Sequence, residues 1–147
     1  GFRVLISDAR AMLATAERFP EADEVLVAWP DEALAGYTIN RNTYIAILTH
    51  DPKFDEPALI GSLETKARYI GAVGSRKTNR DRRERLKANG VSDESMARIR
   101  GPIGLDIGAN SPEEMAVSIM SEIIAVRKGR SGGPLTESTG SIRGETI

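Results

Sequence analysis

No cysteine occurs among the 147 residues, so disulfides, thiolate metal sites and thiol chemistry are excluded from this chain, and composition does not reveal its redox compartment. Histidine is nearly absent too: His50 stands alone and cannot build a metal site by itself, so no metal centre is expected. An excess of charge of one sign is missing. A formal net charge of −1 argues against a dominant nucleic-acid field, although the arginines between Arg76 and Arg85 form a local cluster able to attract a small anion. No apolar run approaches the roughly 18–20 residues that span a bilayer, and the start of the chain lacks the charged, apolar and small-residue sections of a signal peptide. The expectation is a cytoplasmic protein with neither nucleic acid nor membrane as partner. With 40% hydrophobic and 28% charged residues, the composition is that of one globular domain with a genuine core.

The most informative stretch is Tyr69-Ile-Gly-Ala-Val-Gly-Ser-Arg-Lys-Thr78, where an apolar strand breaks at glycine and restarts as a basic helix. The first N–H groups of a helix have no intrahelical partner, and the helix dipole makes that end partly positive. Gly71 and Gly74 would let a phosphate approach the backbone, Ser75 can cap the helix, and Arg76 and Lys77 add full charge. The competing reading is an ordinary strand-to-helix turn with a serine cap, and the local residues do not separate the two.

Around it, strands and helices alternate. Strands are expected at Phe2–Ile6, Glu24–Trp29, Thr43–Thr49, Tyr69–Val73 and Ile103–Ile107. Helices or helical turns are expected at Ala11–Glu17, Pro30–Gly36, Glu56–Glu64, Lys77–Asn89, Asp93–Arg98 and Ser111–Lys128. Asp51–Asp55 reads as a turn. Thr43–Thr49 is almost continuously apolar and reads as a central strand covered on both faces. Ser111-Pro-Glu-Glu is a strong helix start, and Met115, Ala116, Ile119, Met120, Ile123, Ile124 and Val126 form a wide core-facing stripe. Repeated βα units predict an α/β, doubly wound, mainly parallel Rossmann-like sheet. Ligands of such sheets sit beyond the carboxyl ends of the strands, which singles out Asp8, Trp29, Thr49–Asp51, Gly74–Lys77 and Leu105–Gly108 as one rim. The domain is read as residues 1–128 and the rest, 129–147, as an extended tail ordered only through contact with something else.

Four runs carry a further signal: ERFPEADEV from Glu17, ILTHDPKFDEPAL from Ile47, YIGAVGSRKT from Tyr69, and GPIGLDIGANSPEEMAVSIMSEIIAVR from Gly101. Together they resemble the XdhC family of xanthine dehydrogenase accessory factors over about residues 2–128. That resemblance implies a chaperone that binds the molybdenum cofactor in its molybdopterin form and supports its sulfuration. It also implies delivery of that cofactor to molybdenum hydroxylases such as xanthine dehydrogenase, with a cofactor sulfurase as a second partner, and a carboxyl-terminal Rossmann-like domain. The chain departs from the family pattern at its start. A Rossmann half normally opens with a strand, a glycine turn and a helix, and here the first strand corresponds to the second one. The sheet is therefore expected to lack its usual first βα unit, with an exposed or partner-covered edge next to Phe2–Ile6. The chain is then a fragment, or another copy supplies the strand by exchange in a homo-oligomer.

Each candidate site residue has two readings. Asp8 with Arg10 could hold a ribose, the arginine favouring a 2′-phosphate and hence NAD(P), or Asp8 could simply form a turn. Thr49, His50 and Asp51 stand at a strand end as ligand contacts or as turn formers. Asp106 could orient a group in the cleft or pair with Arg76 in a structural bridge. Arg80, Arg82, Arg83 and Arg85 read as the solvated side of a helix. The resemblance implies an accessory protein rather than an enzyme, and no clear catalytic acid, base or nucleophile accompanies His50. An NAD(P)-dependent enzyme and a structural or dimerisation module are the alternatives.

Overall fold

The computed structural model describes residues 1–143; the last four residues of the expected tail, 144–147, lie outside the described residues. In chain order the elements are β1 (Leu5–Asp8), β2 (Glu24–Val27), α1 (Pro30–Ala35), β3 (Tyr44–Ile47), α2 (Pro52–Leu63), β4 (Tyr69–Ala72), α3 (Arg76–Ala88), α4 (Asp93–Met96), β5 (Ile99–Arg100) and α5 (Pro112–Lys128), followed by a 3₁₀ turn at Leu135–Glu137. Every strand pair is parallel. The strands form two separate sheets, β1 with β2 and β3-β4-β5, consistent with a Rossmann-like α/β domain whose sheet is interrupted.

Alternation along β4 builds a core on each face of the larger sheet. Ile70 and Ala72 face Ala58 and Leu59 of α2 and Leu86 of α3, while Tyr69 faces Ile103 and Ile123 of α5. All four residues of β4 are buried, as expected of a strand with a neighbour on each side and helices on both faces.

Of the two readings of Ala11–Glu17, helix or turn, the structure takes the turn: Leu13 and Ala14 donate to Arg10 O, Arg18 and Phe19 donate to Thr15 O, and the Thr15 hydroxyl also accepts from Arg18 N. Two successive turns result, because the threonine offers the backbone a local alternative to the helix ladder. Three expectations need correction. Ile103–Ile107 is not a strand; the strand lies earlier, at Ile99–Arg100. Pro102 has no N–H to give a ladder, and Gly104 at φ +99° lies outside the extended region. Asp51–Asp55 is the first turn of α2 rather than a separate turn: Asp51 caps it, accepting from Lys53 N at 3.0 Å, and Pro52 fits the first helical position. Finally, β3 is not covered on both faces. Among the described residues it pairs only with β4, and Ala46 and Leu48 are exposed.

The start of α5 follows its sequence signal closely. Ser111 accepts from Glu114 N, Glu114 reaches back to Ser111 N, and Gly129 ends the helix in the left-handed region. Beyond it Arg130 N bonds Ala125 O, Gly132 lies against Leu105, and Arg130 holds Ser141 O at 2.8 Å.

Candidate functional site

The glycine turn sits on a buried polar scaffold. Gly74 at φ +125° lets the chain turn out of β4, and a side chain there would strike Thr78. Ser75 caps α3, accepting from Thr78 N at 3.0 Å. Asn79, one turn into the helix, donates to Gly74 O and Ser75 O at 3.0 Å each. Arg82 donates to Asn79 Oδ1 at 2.7 Å and to Val73 O at 3.0 Å, and it grips Asp55 Oδ2 through Nε and Nη2 at 3.1 and 2.7 Å. Three successive carbonyls, those of Val73, Gly74 and Ser75, are thereby tied down from beneath. Arg76 and Lys77, in the first turn of α3, are exposed, and their N–H groups have no intrahelical acceptor.

Arg82 therefore does not belong to a solvated face: it is 1% exposed. Arg83 donates to Met96 O and Ile99 O, and Arg85 pairs with Glu56. Of the four arginines assigned to solvent, Arg80 is the one the structure leaves exposed without a bonded partner among the described residues. A sequence signal for Arg82 did exist, since Asn79, Arg82 and Leu86 fall at i, i+3 and i+7, the buried stripe of α3.

Gly71 also moves out of the site. It lies buried inside β4, where a side chain would run into Ile103 and Tyr69, so its smallness serves packing between strand and loop. Gly101 has the matching reason to lack a side chain, because the Asn79 amide lies where its Cβ would be.

The other half of the rim gathers at the ends of β1 and β2. Arg10 grips Asp8 twice, Nε to Oδ1 at 2.9 Å and Nη2 to Oδ2 at 2.8 Å, and its backbone N–H adds a third bond to Oδ1. This hydrogen bonding holds the Asp8 carboxyl below its usual range and raises the guanidinium. The Arg10 guanidinium lies 5.3 Å from the Phe54 ring centre, and the Lys53 ammonium lies 5.2 Å from that of Trp29. Trp29 and Phe54 themselves stack at 5.2 Å, an aromatic pair that the sequence pattern does not bring together. Asp51 adds to the field at Arg10. Thr49 Oγ1 accepts from Asp51 N, so Thr49 and Asp51 build the turn, while His50 is exposed and has no hydrogen bond among the described residues.

The two halves meet at the first turn of α2, where the Phe54 ring lies under Arg10 and Asp55 holds Arg82. Asp106 does not join them. It is exposed in the loop before α5 and forms no ion pair with Arg76; Lys77 instead pairs with Asp81 at 2.6 Å. Two hollows of about 360 and 300 Å³ lie elsewhere, one against Arg68, Arg98 and Arg100 and one under the start of the tail. In the first, Arg98 is engaged by the carbonyls of Leu63, Thr65 and Ala67, which ties down the end of α2. No group of three or more potential metal ligands occurs among the described residues, and no described helix is long and apolar enough to cross a membrane.

Against known families, the model of the XdhC Rossmann domain matches residues 1–123. This chain belongs to the XdhC family. The XdhC domain is 32% identical over 128 residues to a protein of Bacillus subtilis (strain 168) named as a probable xanthine dehydrogenase subunit, covering 87% of this chain and 37% of that protein. It is 32% identical over 125 residues to the molybdenum cofactor insertion chaperone PaoD of Escherichia coli (strain K12), covering 85% of this chain and 38% of PaoD. A crystal structure described as a xanthine dehydrogenase from Bacillus halodurans superposes with a TM-score of 0.74 at 32% identity, over 94% of this chain and 38% of that one. The chain thus spans less than two fifths of the length of these relatives.

Proposed function

We propose that this XdhC domain forms part of an accessory protein that handles the molybdenum cofactor, with the Gly74–Lys77 turn contacting the cofactor's anionic end. The observation that carries this reading is the turn itself: exposed Arg76 and the free first-turn N–H groups of α3 stand over a scaffold that ties the Val73, Gly74 and Ser75 carbonyls inward. The name of PaoD supports the choice of cargo. On this reading a xanthine dehydrogenase type hydroxylase is the recipient, a cofactor sulfurase acts before delivery, and residues 129–147 lie outside the domain as a tail.

Among the chain's own groups, Arg76 supplies the unpaired charge, Ser75 and Asn79 hold the backbone, and Asp8, Arg10, Thr49 and Asp51 shape the opposite wall. A dinucleotide reading is less favoured, because both Asp8 oxygens that would meet a ribose are already taken by Arg10. The test is an anaerobic titration of the whole accessory protein with molybdopterin. Arg76→Ala should weaken binding about tenfold or more, the loss of one charge-assisted hydrogen bond. Unchanged affinity at matched salt would remove this turn from the site, and a thermal shift with NADPH but not with molybdopterin would favour the dinucleotide reading.

A further inference from the structure

A second concentration of positive charge lies at the other end of the larger sheet from the glycine turn. Arg68 directly precedes β4 and Arg98 directly precedes β5, and because these strands run parallel their amino ends stand side by side. With Arg100 of β5 they wall the hollow of about 360 Å³, and Ala67, Ile70 and Ala97 complete its lining. The floor is therefore apolar and the wall cationic. No carboxylate lines this hollow among the described residues.

The partners of the three arginines leave most of their charge uncancelled. Arg98 donates to three neutral carbonyls, Leu63 O at 2.7 Å, Thr65 O at 3.0 Å and Ala67 O at 3.1 Å. These bonds fix the guanidinium without neutralising it, and its Nε hydrogen has no acceptor among the described residues. Arg68 makes one bond, to Arg127 O at 3.4 Å, longer than an ordinary hydrogen bond. Arg100 does meet a carboxylate, Glu122 Oε1 at 3.2 Å, but the other oxygen of Glu122 also accepts from the Tyr69 hydroxyl and Gly104 N. Three guanidiniums thus share one carboxylate, and two positive charges remain.

We infer that this hollow binds the phosphate group of a small phosphate ester. Guanidinium forks match oxyanions, and a carboxylate, with two oxygens in one plane, satisfies one fork well. A phosphate presents oxygens in several directions and carries up to two charges, so it answers three arginines that approach from two strands. The hollow is also larger than a bare ion requires and falls within the range of about 300–1,000 Å³ typical of small-molecule sites. Its apolar floor takes the organic part of the ester. The site is separate from the glycine turn, which follows the carboxyl end of β4, so it stands whether or not that turn holds the cofactor.

Amide NMR titration of the full chain at fixed ionic strength tests this, with phenyl phosphate, inorganic phosphate and benzoate as the three probes. Phenyl phosphate should give saturable shifts centred on Ala67, Arg68, Ala97 and Arg98, and should bind several-fold tighter than either of the others. Arg68→Gln and Arg100→Gln should each weaken it about tenfold or more, the loss of a charge-assisted hydrogen bond. Arg68 is exposed, so its variant should keep the unfolding midpoint. Arg80→Gln removes the same charge from another exposed position and should change the affinity less than twofold. Absence of saturation, shifts centred on Gly74–Lys77, or equal losses in all three variants would overturn the site. Benzoate binding as tightly as phenyl phosphate would overturn the phosphate assignment, and inorganic phosphate doing so would overturn the ester.

Discussion

Asp55 of α2 and Arg82 of α3 form an ion pair at 2.7 Å in which each side chain is 1% exposed. The second Asp55 oxygen is buried without a partner, so the carboxylate depends on this arginine alone among the described residues. Removing either partner leaves an uncompensated charge in the core. Arg82→Met should destabilise the domain by about 3–5 kcal/mol, and pairing it with Asp55→Leu should recover a large part of that loss. Denaturant unfolding of the two single variants and the double variant checks this; additive losses would show that the pair is not coupled.

Tyr69 should set an alkaline limit. Burial, and then the 2.6 Å hydrogen bond from its hydroxyl to Glu122 Oε2, push the phenol well above its usual range. A group whose folded pKa is raised contributes stability that is complete below the unfolded value, about 10, and is lost as pH rises beyond it. Stability should therefore fall above about pH 10, and Tyr69→Phe should flatten that limb while losing about 1–3 kcal/mol at neutral pH. The two unfolding curves against pH, with phenolate absorbance as the second signal, decide it.

Asp8 should act at the other end of the pH scale. Hydrogen bonding from Arg10 lowers its folded pKa, so the stability it contributes is present above the unfolded carboxyl value and is lost as pH falls through the folded one. Arg10→Gln should raise the Asp8 midpoint toward the ordinary carboxyl range. Carboxyl carbon shifts followed by NMR across the acid range measure the change, and an unmoved midpoint would mean that Arg10 does not hold Asp8 in solution.

The glycine turn should tolerate no side chain. Gly74→Ala places a Cβ at a positive φ and against Thr78, at about 1–3 kcal/mol. Gly108, also at positive φ but in open space, should lose less when changed to alanine, so the difference between the two measures the contact with Thr78. Thermal unfolding of both variants tests this.

Local chemistry was legible where a residue announces its own role. Ser111, Pro112 and Glu114 specify the start of α5 among themselves, and Ser75 does the same for α3. The run from Tyr69 was likewise readable as a strand, because a doubly covered strand leaves a continuous apolar signature. What failed involved partners distant in sequence. Arg82 reads as one arginine among several until Asp55, 27 positions earlier, is placed beside it. Gly71 reads like Gly74 until Ile103 fills the space above it. The apolar stripe of α5 was read as facing the core throughout, but Ala116, Met120 and Ile124 are exposed while Ile119, Ile123 and Val126 pack into the core, and no pattern within the helix separates the two groups. His50 drew attention because it is unique, yet the turn is made by its neighbours Thr49 and Asp51.

One turn of α2 separates Asp51, whose charge acts on Arg10, from Asp55, which holds Arg82. Four residues of helix advance about 6 Å, and a helical turn hardly stretches. The first turn of α2 therefore works as a ruler between the two walls of the rim. A ligand that bridges both walls is selected by the spacing of its own charged groups, and reshaping one wall without the other would require α2 to slide as a rod.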